Sequence, residues 1–560
     1  MEGPFPFSQH FDTNYIPTSE ELDELKALVA EGEAVIDGID AEMVELERKK
    51  TTKAQYVRNL RALGTPIRRL PDDILLTIFF GSLDIANPWS TPHPTVVASQ
   101  VCRRWRGLAI GTPLLWTKIE IRLPLRSIWR KVTPPAHLDV RPYIGPYLSL
   151  CRRSLQCFAQ RARMLIQRSS GCPLHLKVHV YDDPRALPSV RAWSEMFEPL
   201  AEVMSDPTVR WKDINFTLGV VPHSSLSLHF LRILTASSVL GMRNATLRIE
   251  SSAPISEAAW NAMLPGGKID LSSAHLRSLS VRMVFEDMRH VQTSWDELTD
   301  LTIGPTFTSS QFFSPDALNI LRSTPNLIRC TIHLSSLESP EGPPLDSLTL
   351  AQLRTLTIMR RVPTRAFAEA LRLPALTHLW TDGATGVVEE REASALSLWI
   401  QRYGRCWKEF SVAHSSLTKP ALRAVLDDLP NIEFLKLRFN ATKGPMAPMN
   451  IDLGFVAKDA DVLAYLVPSN ARGCVCPKLR TLSLEFWTGG SVETANAIVD
   501  LVEKRRSVDR PSSIFWLERL EIRFIVRPRI DIFLDLKRRG VDTNGISTRT
   551  GPEAYTDGWP

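Results

Sequence analysis

The sequence predicts an α/β chain: an N-terminal amphipathic, coiled-coil-like helix, then a small all-α domain, then a long irregular repeat array with a parallel sheet on its inner face. Three observations support this prediction: apolar residues at heptad spacing, an abrupt change of pattern near residue 65, and a short apolar motif that recurs along most of the remaining chain. The predicted segments are a disordered N-terminus at 1–17, the helix at 18–63, the all-α domain at 64–118, a connecting segment with a basic helix at 119–169, the repeat array at 170–530 and a C-terminal tail at 531–560.

The composition is typical of a folded chain whose partners are proteins. Of the 560 residues, 44% are hydrophobic, which is enough apolar material for a core and excludes global disorder. A formal net charge of +6 does not favour nucleic acid as a partner, and no stretch is apolar for the length of a membrane span. Because the N-terminus lacks the pattern of a secretory signal, we expect a protein of the cytoplasm, the nucleus or both, with its eight cysteines reduced.

The N-terminal helix begins at a capping box, because Thr18 is followed three residues later by Glu21. In the heptad frame that follows, nine of the twelve a and d positions are apolar. Two alternatives fit this seam: it packs on the chain's own body, or it forms a coiled coil with a second copy. Gly32, Lys50 and Lys53 interrupt the seam and count against the second alternative.

Between residues 66 and 116 the pattern predicts short helices with a shared apolar face. Pro71 suits the first turn of a helix, where its missing N–H costs nothing, and Asp72 and Asp73 favour the positive helix end. After a proline-rich loop, a second helical pattern runs from Val97 to Leu108. The apolar anchors of the whole segment are Leu70, Pro71, Ile74, Leu75, Ile78, Phe79, Val101, Cys102, Trp105, Pro113, Leu114 and Trp116.

This ordered series resembles an F-box, in the form common among proteins of mushroom-forming fungi. The resemblance implies a domain without catalytic groups, whose apolar face binds a Skp-family adaptor and through it a cullin scaffold. The residues implied for adaptor binding, shared with the core of the domain, are Leu70, Pro71, Ile74, Leu75, Ile78, Phe79, Val101, Trp105, Leu114 and Trp116. Among them, we expect substitutions at Leu75 and Ile78 to be the most disruptive.

From about residue 170 one pattern recurs: an apolar residue, two variable ones, an apolar one, one variable, and a further apolar residue. Its clearest copies start at Leu276, Leu298, Leu327, Leu353, Leu376, Trp407, Ile432, Leu479 and Leu517, and weaker copies lie at 174–178, 211–216 and 242–249. Several spacings fall in the range of about 20 to 29 residues that leucine-rich repeats have. Helical patterns lie between the copies, so neighbouring units must stack into a solenoid to bury their apolar faces. The alternative is an ordinary α/β domain whose buried strands happen to fit the pattern.

An F-box beside such an array resembles the substrate receptors of SCF-type ubiquitin ligases. The implied mechanism is proximity, because the repeats would hold a protein target near the ubiquitin-loaded conjugating enzyme. In a repeat strand, the residues between the apolar positions face the inner surface. This rule selects the target-binding candidates Arg282, His333, Trp380, Lys436, Arg438, Glu485 and Arg523.

Patterns for catalysis, cofactors and metals are weak. Cys474 and Cys476 have no second cysteine or histidine pair at zinc spacing, and Gly266, Gly267 and Lys268 lack the upstream glycine of a phosphate loop. We therefore expect no enzymatic activity, no cofactor and no metal. The alternative to a ligase adaptor is a non-catalytic repeat scaffold that is not incorporated in a ubiquitin ligase.

Overall fold

The computed structural model describes most of the chain, and every structural statement concerns the described part. The described residues are 7–85, 93–123, 141–182, 190–206, 208–220, 226–234, 239–251, 254–306, 312–335, 345–360, 363–381, 395–413, 419–438, 459–468, 474–486, 492–507, 512–524 and 532–550. The chain divides into two units, Met1–Asp84 and Ile85–Pro560. Within the described ranges, no helix is both long and apolar enough to cross a membrane.

The first unit contains the long helix α1 (Ser19–Leu63) and the helix α2 (Asp72–Ile85). The capping box is confirmed: the backbone N–H of Thr18 donates to Glu21 Oε2 at 2.8 Å, and the N–H of Glu21 donates to Thr18 Oγ1 at 3.4 Å. None of the residues of α1 is buried. Its apolar seam is therefore exposed within the first unit, and both alternatives for this helix stay predictions.

The second unit begins with two short helices, α3 (Pro94–Val101) and α4 (Arg103–Gly111), followed by a 3-10 turn at Pro113–Trp116. The single helix predicted from Val97 to Leu108 is wrong, because Cys102 is extended, with φ −158° and ψ 171°. The side chain of Arg106 stabilises this break, since its Nε donates at 2.9 Å to the carbonyl oxygen of Ser99, near the end of α3.

Eighteen strands follow in the described ranges, and fourteen of them form one sheet. The strands are β1 (Lys118–Leu123), β2 (Leu174–Tyr181), β3 (Trp211–Val220), β4 (Asn244–Ser251), β5 (Ile269–Leu271), β6 (Ser278–Arg282), β7 (Val291–Thr293), β8 (Asp300–Gly304), β9 (Arg329–His333), β10 (Leu348–Thr349), β11 (Thr355–Met359), β12 (Leu371–Arg372), β13 (His378–Thr381), β14 (Glu409–Ala413), β15 (Phe434–Arg438), β16 (Thr481–Phe486), β17 (Arg519–Phe524) and β18 (Ile546–Thr550). Strands β5 and β7 pair with each other, as do β10 and β12. In the main sheet each strand pairs in parallel with the next one along the chain.

Helices occupy many of the crossovers that parallel pairing requires. They are α5 (Arg141–Arg168), α6 (Val190–Met204), α7 (Leu226–His229), α8 (Glu257–Met263), α9 (Ser314–Arg322), α10 (Arg365–Ala370), α11 (Ala395–Tyr403), α12 (Lys419–Asp427), α13 (Asp459–Leu466), α14 (Val492–Arg506) and α15 (Ile532–Arg538). Consecutive helices pack on each other, as α5 does on α6 and α13 on α14.

The recurring apolar motif marks the buried face of the main sheet. All nine clear copies and all three weaker ones coincide with strands. In the copy that starts at Leu276, for example, Leu276, Leu279 and Val281 are buried, whereas Ser280 and Arg282 between and after them are half-buried. The core therefore lies on one side of the sheet. We call the opposite side, formed by the half-buried alternate residues, the half-exposed face.

The sheet is longer than the repeat array predicted at 170–530, because it begins with β1 and ends with β18. Trp116, Ile119 and Ile121 have the spacing of the repeat motif, but Trp116 also ends the all-α pattern and was assigned to it. Strand β18 has only one buried apolar residue, Ile546, so its sequence lacks the motif.

Candidate functional site

Helix α2 separates its apolar residues onto two faces. Leu75 and Phe79 are buried, with 0% and 3% of their surfaces exposed, while Ile74 and Ile78 are 44% and 46% exposed. Residues four positions apart share a helix face, so each pair forms its own stripe. The pair Ile74 and Ile78 is therefore available to a partner, whereas Leu75 and Phe79 belong to a core.

Trp116 is a core residue of the second unit, although it was predicted as part of the adaptor site. Its ring is fully buried, and its Nε1–H donates to the carbonyl oxygen of Ala109 at 2.6 Å. The guanidinium carbon of Arg168 lies 4.4 Å from the centre of the ring, and the His93 ring is nearly parallel to the indole at a centroid distance of 6.1 Å. Burial lowers the pKa of His93 to about 4, so this ring is neutral at pH 7.

The remaining predicted adaptor residues differ in exposure. Leu70 and Trp105 are half-buried, whereas Pro71, Val101 and Leu114 are exposed. Exposed apolar residues that the motif did not select are Ile67, Phe80, Val97 and Ile110. The sequence signal that could have identified these four residues was their position next to the motif anchors in the helical pattern. Exposed apolar residues thus lie on α2 in the first unit and on α3 and α4 in the second unit.

The segment that holds these helices can be compared with known families. Residues 67–122 match the F-box-like family. The match supports the F-box predicted from the motif anchors, and it extends into β1. F-box domains typically bind Skp-family adaptors and typically occur in ubiquitin ligase adaptors. No curated protein matches the chain, and the fungal resemblance stays a prediction.

Six of the seven target-binding candidates in the repeat strands are half-buried residues of the half-exposed face, whereas His333 lies in the same register but is buried, with 8% of its surface exposed. Their register shows two rows: Trp380 and Lys436 occupy the middle row, and Arg282, His333, Arg438, Glu485 and Arg523 occupy a row near the carboxyl ends of the strands. Three of them, Lys436, Glu485 and Arg523, line one depression together with Ser483, Glu521, Ser547 and Arg549. The structure thus brings part of the set together at the C-terminal strands.

Trp380 was expected as an exposed anchor, but it is half-buried. Its ring stacks on that of Phe434 at a centroid distance of 6.4 Å and an interplanar angle of 19°. Phe434 lies two strands away along the sheet, at the first position of β15. The stacking keeps one face of the indole covered, so Trp380 offers less surface to a partner than the sequence suggested.

A second group of candidates lies near the carboxyl ends of β4 to β11, where two arginines that the sequence analysis did not select join them. We call Arg248, Arg282, Arg360 and His333 the arginine cluster. Arg248 and Arg282 are register partners on β4 and β6. Burial, together with the charges of Arg248 and Arg360, lowers the pKa of Arg282 to about 10. Burial and the same three guanidinium charges hold the pKa of His333 well below its ordinary value.

Metal and thiol chemistry find little support in the described part of the chain. Its histidine, cysteine, aspartate and glutamate side chains form no group of three or more suited to a metal ion. Burial raises the pKa of the Cys476 thiol to about 12, so this thiol stays protonated. Cys474 and Cys476 are therefore best interpreted as packing residues.

Proposed function

We propose that the chain is the substrate-recognition adaptor of an SCF-type ubiquitin ligase, with its F-box-like domain binding a Skp-family adaptor linked to a cullin. The observation that carries the proposal is the F-box-like match at residues 67–122. The chain itself would supply no catalysis: it would hold a protein target close to the ubiquitin-loaded conjugating enzyme, so that the rate rises through proximity. We expect it to act in the cytoplasm, the nucleus or both.

We further propose that the fourteen-stranded sheet is a leucine-rich-repeat-like solenoid and that its half-exposed face binds the target. Two features support this: the strands follow one another in chain order, and each clear copy of the motif buries residues at the same three positions. The half-exposed face carries charged residues and an aromatic residue, which are the side chains that protein interfaces use for specificity.

Within the F-box-like domain, the exposed residues are the better candidates for adaptor contact. Ile74 and Ile78 form an exposed apolar pair on α2, and Val101 and Leu114 are each 57% exposed. Leu75, by contrast, is fully buried, so a charged side chain there would unfold the domain and report nothing about binding.

A pull-down with the full chain tests the proposal. Skp-family adaptor and cullin should co-purify with the wild-type chain and be lost with the double variant Ile74→Asp, Ile78→Asp. The control is Thr77→Asp, which adds one negative charge instead of two at an exposed position of α2 and should retain the adaptor. Circular dichroism and thermal melting establish that all variants are folded. If the folded wild-type chain captures no adaptor, the ligase proposal fails.

The second candidate is a non-catalytic scaffold outside any ubiquitin ligase. The exposed seam of α1 favours the scaffold, because this helix offers an interaction surface separate from the F-box-like domain. Capture of target proteins without adaptor or cullin, in cells with a blocked proteasome, would support the scaffold. Capture of all three together would support the ligase adaptor.

A further inference from the structure

The apolar seam of α1 is exposed along the whole helix. At about 1.5 Å per residue, the 45 residues of Ser19–Leu63 span about 68 Å. Eight of the nine apolar a and d residues are between 42% and 62% exposed, namely Leu22, Val29, Ile36, Ile39, Met43, Leu46, Val57 and Leu60. The ninth, Leu25, is half-buried. A continuous apolar strip of this length marks an interaction surface, and six heptads in one frame are the pattern of a coiled coil.

The two edges of the seam differ in chemistry. The g positions, each directly before an a position, form one edge, and the e positions, each directly after a d position, form the other. Of the six g residues from 28 to 63, four are apolar: Leu28, Val35, Tyr56 and Leu63. Of the six e residues from 26 to 61, five are charged: Lys26, Glu33, Asp40, Glu47 and Arg61. A partner that fits this helix therefore covers the seam and the g edge and leaves the e edge in water.

The a and d residues complement themselves when the helix is reversed. If two copies pair antiparallel about Ala41, each a position faces a d position of the other copy. The resulting layers are Leu22 with Leu60, Leu25 with Val57, Val29 with Lys53, Gly32 with Lys50, Ile36 with Leu46, and Ile39 with Met43. Four of these six layers place apolar residues against each other.

The other two layers contain the defects of the seam, and each defect meets a suitable residue. Gly32, which lacks a side chain, lies opposite Lys50, whose aliphatic stem fills the space. Glu33 stands beside Gly32 on the e edge, so its carboxylate comes within reach of the Lys50 ammonium. Lys53 lays its stem on Val29 in the same way. In this register neither lysine of the seam faces another lysine.

A parallel pair in register would combine each defect with itself. Lys50 would face Lys50 and Lys53 would face Lys53, which brings like charges together inside the seam. Gly32 would face Gly32 and leave a gap in the packing. The seam alone therefore favours the antiparallel direction.

The edges of the seam favour the same direction. In an antiparallel pair the g edge of one helix meets the g edge of the other, so Leu28 comes to lie beside Tyr56. In a parallel pair each g residue meets an e residue instead. Leu28 would then lie against Glu33, and Val35 against Asp40. Only the antiparallel pair covers apolar edge residues with apolar edge residues.

The charge distribution along α1 is a third, independent indication. Residues 19–41 carry eight acidic side chains and one basic, whereas residues 42–63 carry three acidic side chains and six basic. An antiparallel pair lays the basic half of each helix on the acidic half of the other, whereas a parallel pair lays like charges on each other. The like charges that do meet in the antiparallel pair lie around Asp40 on the e edge, where water and salt screen them.

We propose that α1 forms an antiparallel coiled coil with a second copy of the chain, centred on Ala41. The occupant is a second copy because the layers, the g edge and the charges are each complemented by the same helix reversed, as a two-fold symmetric interface requires. The C-terminal ends of the two helices, which lead into the F-box-like segments, then lie about 66 Å apart along the common axis.

Disulfide trapping with the full chain tests both the pairing and its direction. Leu22→Cys and Leu60→Cys should yield a linked dimer when the two single variants are mixed, left to exchange under reducing conditions and then oxidised. Either variant alone should link much less, because residue 22 of one copy lies about 57 Å from residue 22 of the other. The wild-type chain gives the background from its own eight cysteines. It should also sediment as a dimer at micromolar concentration.

Four results would overturn the proposal. Linkage of each variant with itself would establish a parallel pair. A mixture that links no more than the wild-type background would exclude the register. A wild-type chain that sediments as a monomer at micromolar concentration would favour packing of the seam on the chain's own body. Sedimentation as a trimer or larger assembly would contradict a two-helix pair.

A charge exchange tests the register without added cysteines. Lys50→Glu places a carboxylate beside Glu33 of the other copy and should raise the dimer dissociation constant at least about threefold, since symmetry repeats the contact twice. Glu33→Lys should weaken the dimer for the corresponding reason. The double variant Glu33→Lys, Lys50→Glu restores opposite charges and should regain most of the affinity. A double variant as weak as the two single changes combined would show that these residues do not meet.

A substitution pair checks that the seam is responsible. Ile36→Glu places a carboxylate against Leu46 in two symmetric layers and should raise the dimer dissociation constant at least about tenfold. Ala34→Glu, outside the seam and its edges, should change it less than about twofold. Both positions are exposed, and circular dichroism establishes that both variants are folded. Equal dissociation constants for the two folded variants would exclude the seam as the interface.

Discussion

The guanidinium of Arg505 donates a hydrogen bond of 3.1 Å to the carbonyl oxygen of Cys476. Arg505 is fully buried near the end of α14, and its other N–H groups donate to the carbonyl oxygens of Leu466 and Val475 at 3.0 and 2.7 Å. Burial lowers its pKa. One side chain thus joins the end of α13, the segment before β16 and α14 through backbone acceptors.

We predict that Arg505→Met lowers the free energy of unfolding by about 3 kcal/mol, because three buried carbonyl oxygens lose their donors. Arg505→Lys should recover only part of the loss, since an ammonium lacks the planar fork that spans these acceptors. The measurement is chemical denaturation of the full chain. The control Arg539→Met removes exposed ion pairs to Asp500 and Glu503 and should leave the free energy of unfolding nearly unchanged.

Gly304→Ala should destabilise the chain by about 2 kcal/mol or more. The position combines a positive φ with a clash against the backbone of His333, which a rotamer change cannot relieve. Gly107→Ala is the control: this helical glycine has no atom within 4 Å of an added Cβ, so alanine should raise stability by about 0.5 to 1 kcal/mol. Thermal melting of the two variants should move in opposite directions.

The two faces of α2 should respond differently to truncation. Leu75→Ala removes a fully buried side chain and should cost about 3 kcal/mol, whereas Ile78→Ala should change stability by less than about 1 kcal/mol. Among folded variants, Ile78→Ala should capture less adaptor in the pull-down than Leu75→Ala does. A similar melting temperature for the two variants would contradict the assignment of Leu75 to a core.

Acid should destabilise the chain partly through His229. Burial, with the charge of Arg232, lowers the pKa of His229 to about 4, and its ring nitrogens have no hydrogen-bond partner in the described chain. Below about pH 6.5 the unfolded chain gains a proton that the folded chain refuses, so stability present at neutral pH falls progressively toward pH 4.

His229→Phe should therefore shrink the difference in melting temperature between pH 7 and pH 5. The control His275→Phe changes a ring that is 80% exposed and should leave that difference unchanged. An equal pH response in wild type and His229→Phe would show that other groups govern acid stability.

Much of the sheet could be predicted because its cause is local. A buried strand needs apolar residues at alternate positions, and the motif adds a buried residue three positions earlier, as in Leu276, Leu279 and Val281. Strand β18 was not predicted, because pairing with β17 rather than its own apolar content holds it in the sheet. Strand β1 was assigned to the connecting segment rather than to the array because Trp116 belongs to two patterns at once: it ends the F-box-like helices and begins the first strand's apolar spacing.

The site was harder to predict because it depends on contacts between distant parts of the chain. Alternation along a strand selected Arg282 and His333, which do lie together. It could not select Arg360, which follows β11 with φ +72° and donates a hydrogen bond to the distant Thr306. In the same way, apolar spacing marked both Leu75 and Ile78, but only the packed structure shows that one is buried and the other exposed.

The strict chain order of the main sheet has a consequence for how such a protein can change over evolutionary time. Because each strand pairs only with its immediate neighbours, the gain or loss of one strand with its crossover creates or removes a single junction. All other pairings keep their partners. The number of strands in the binding face can therefore change by one at a time, while the elements on either side of the change stay intact.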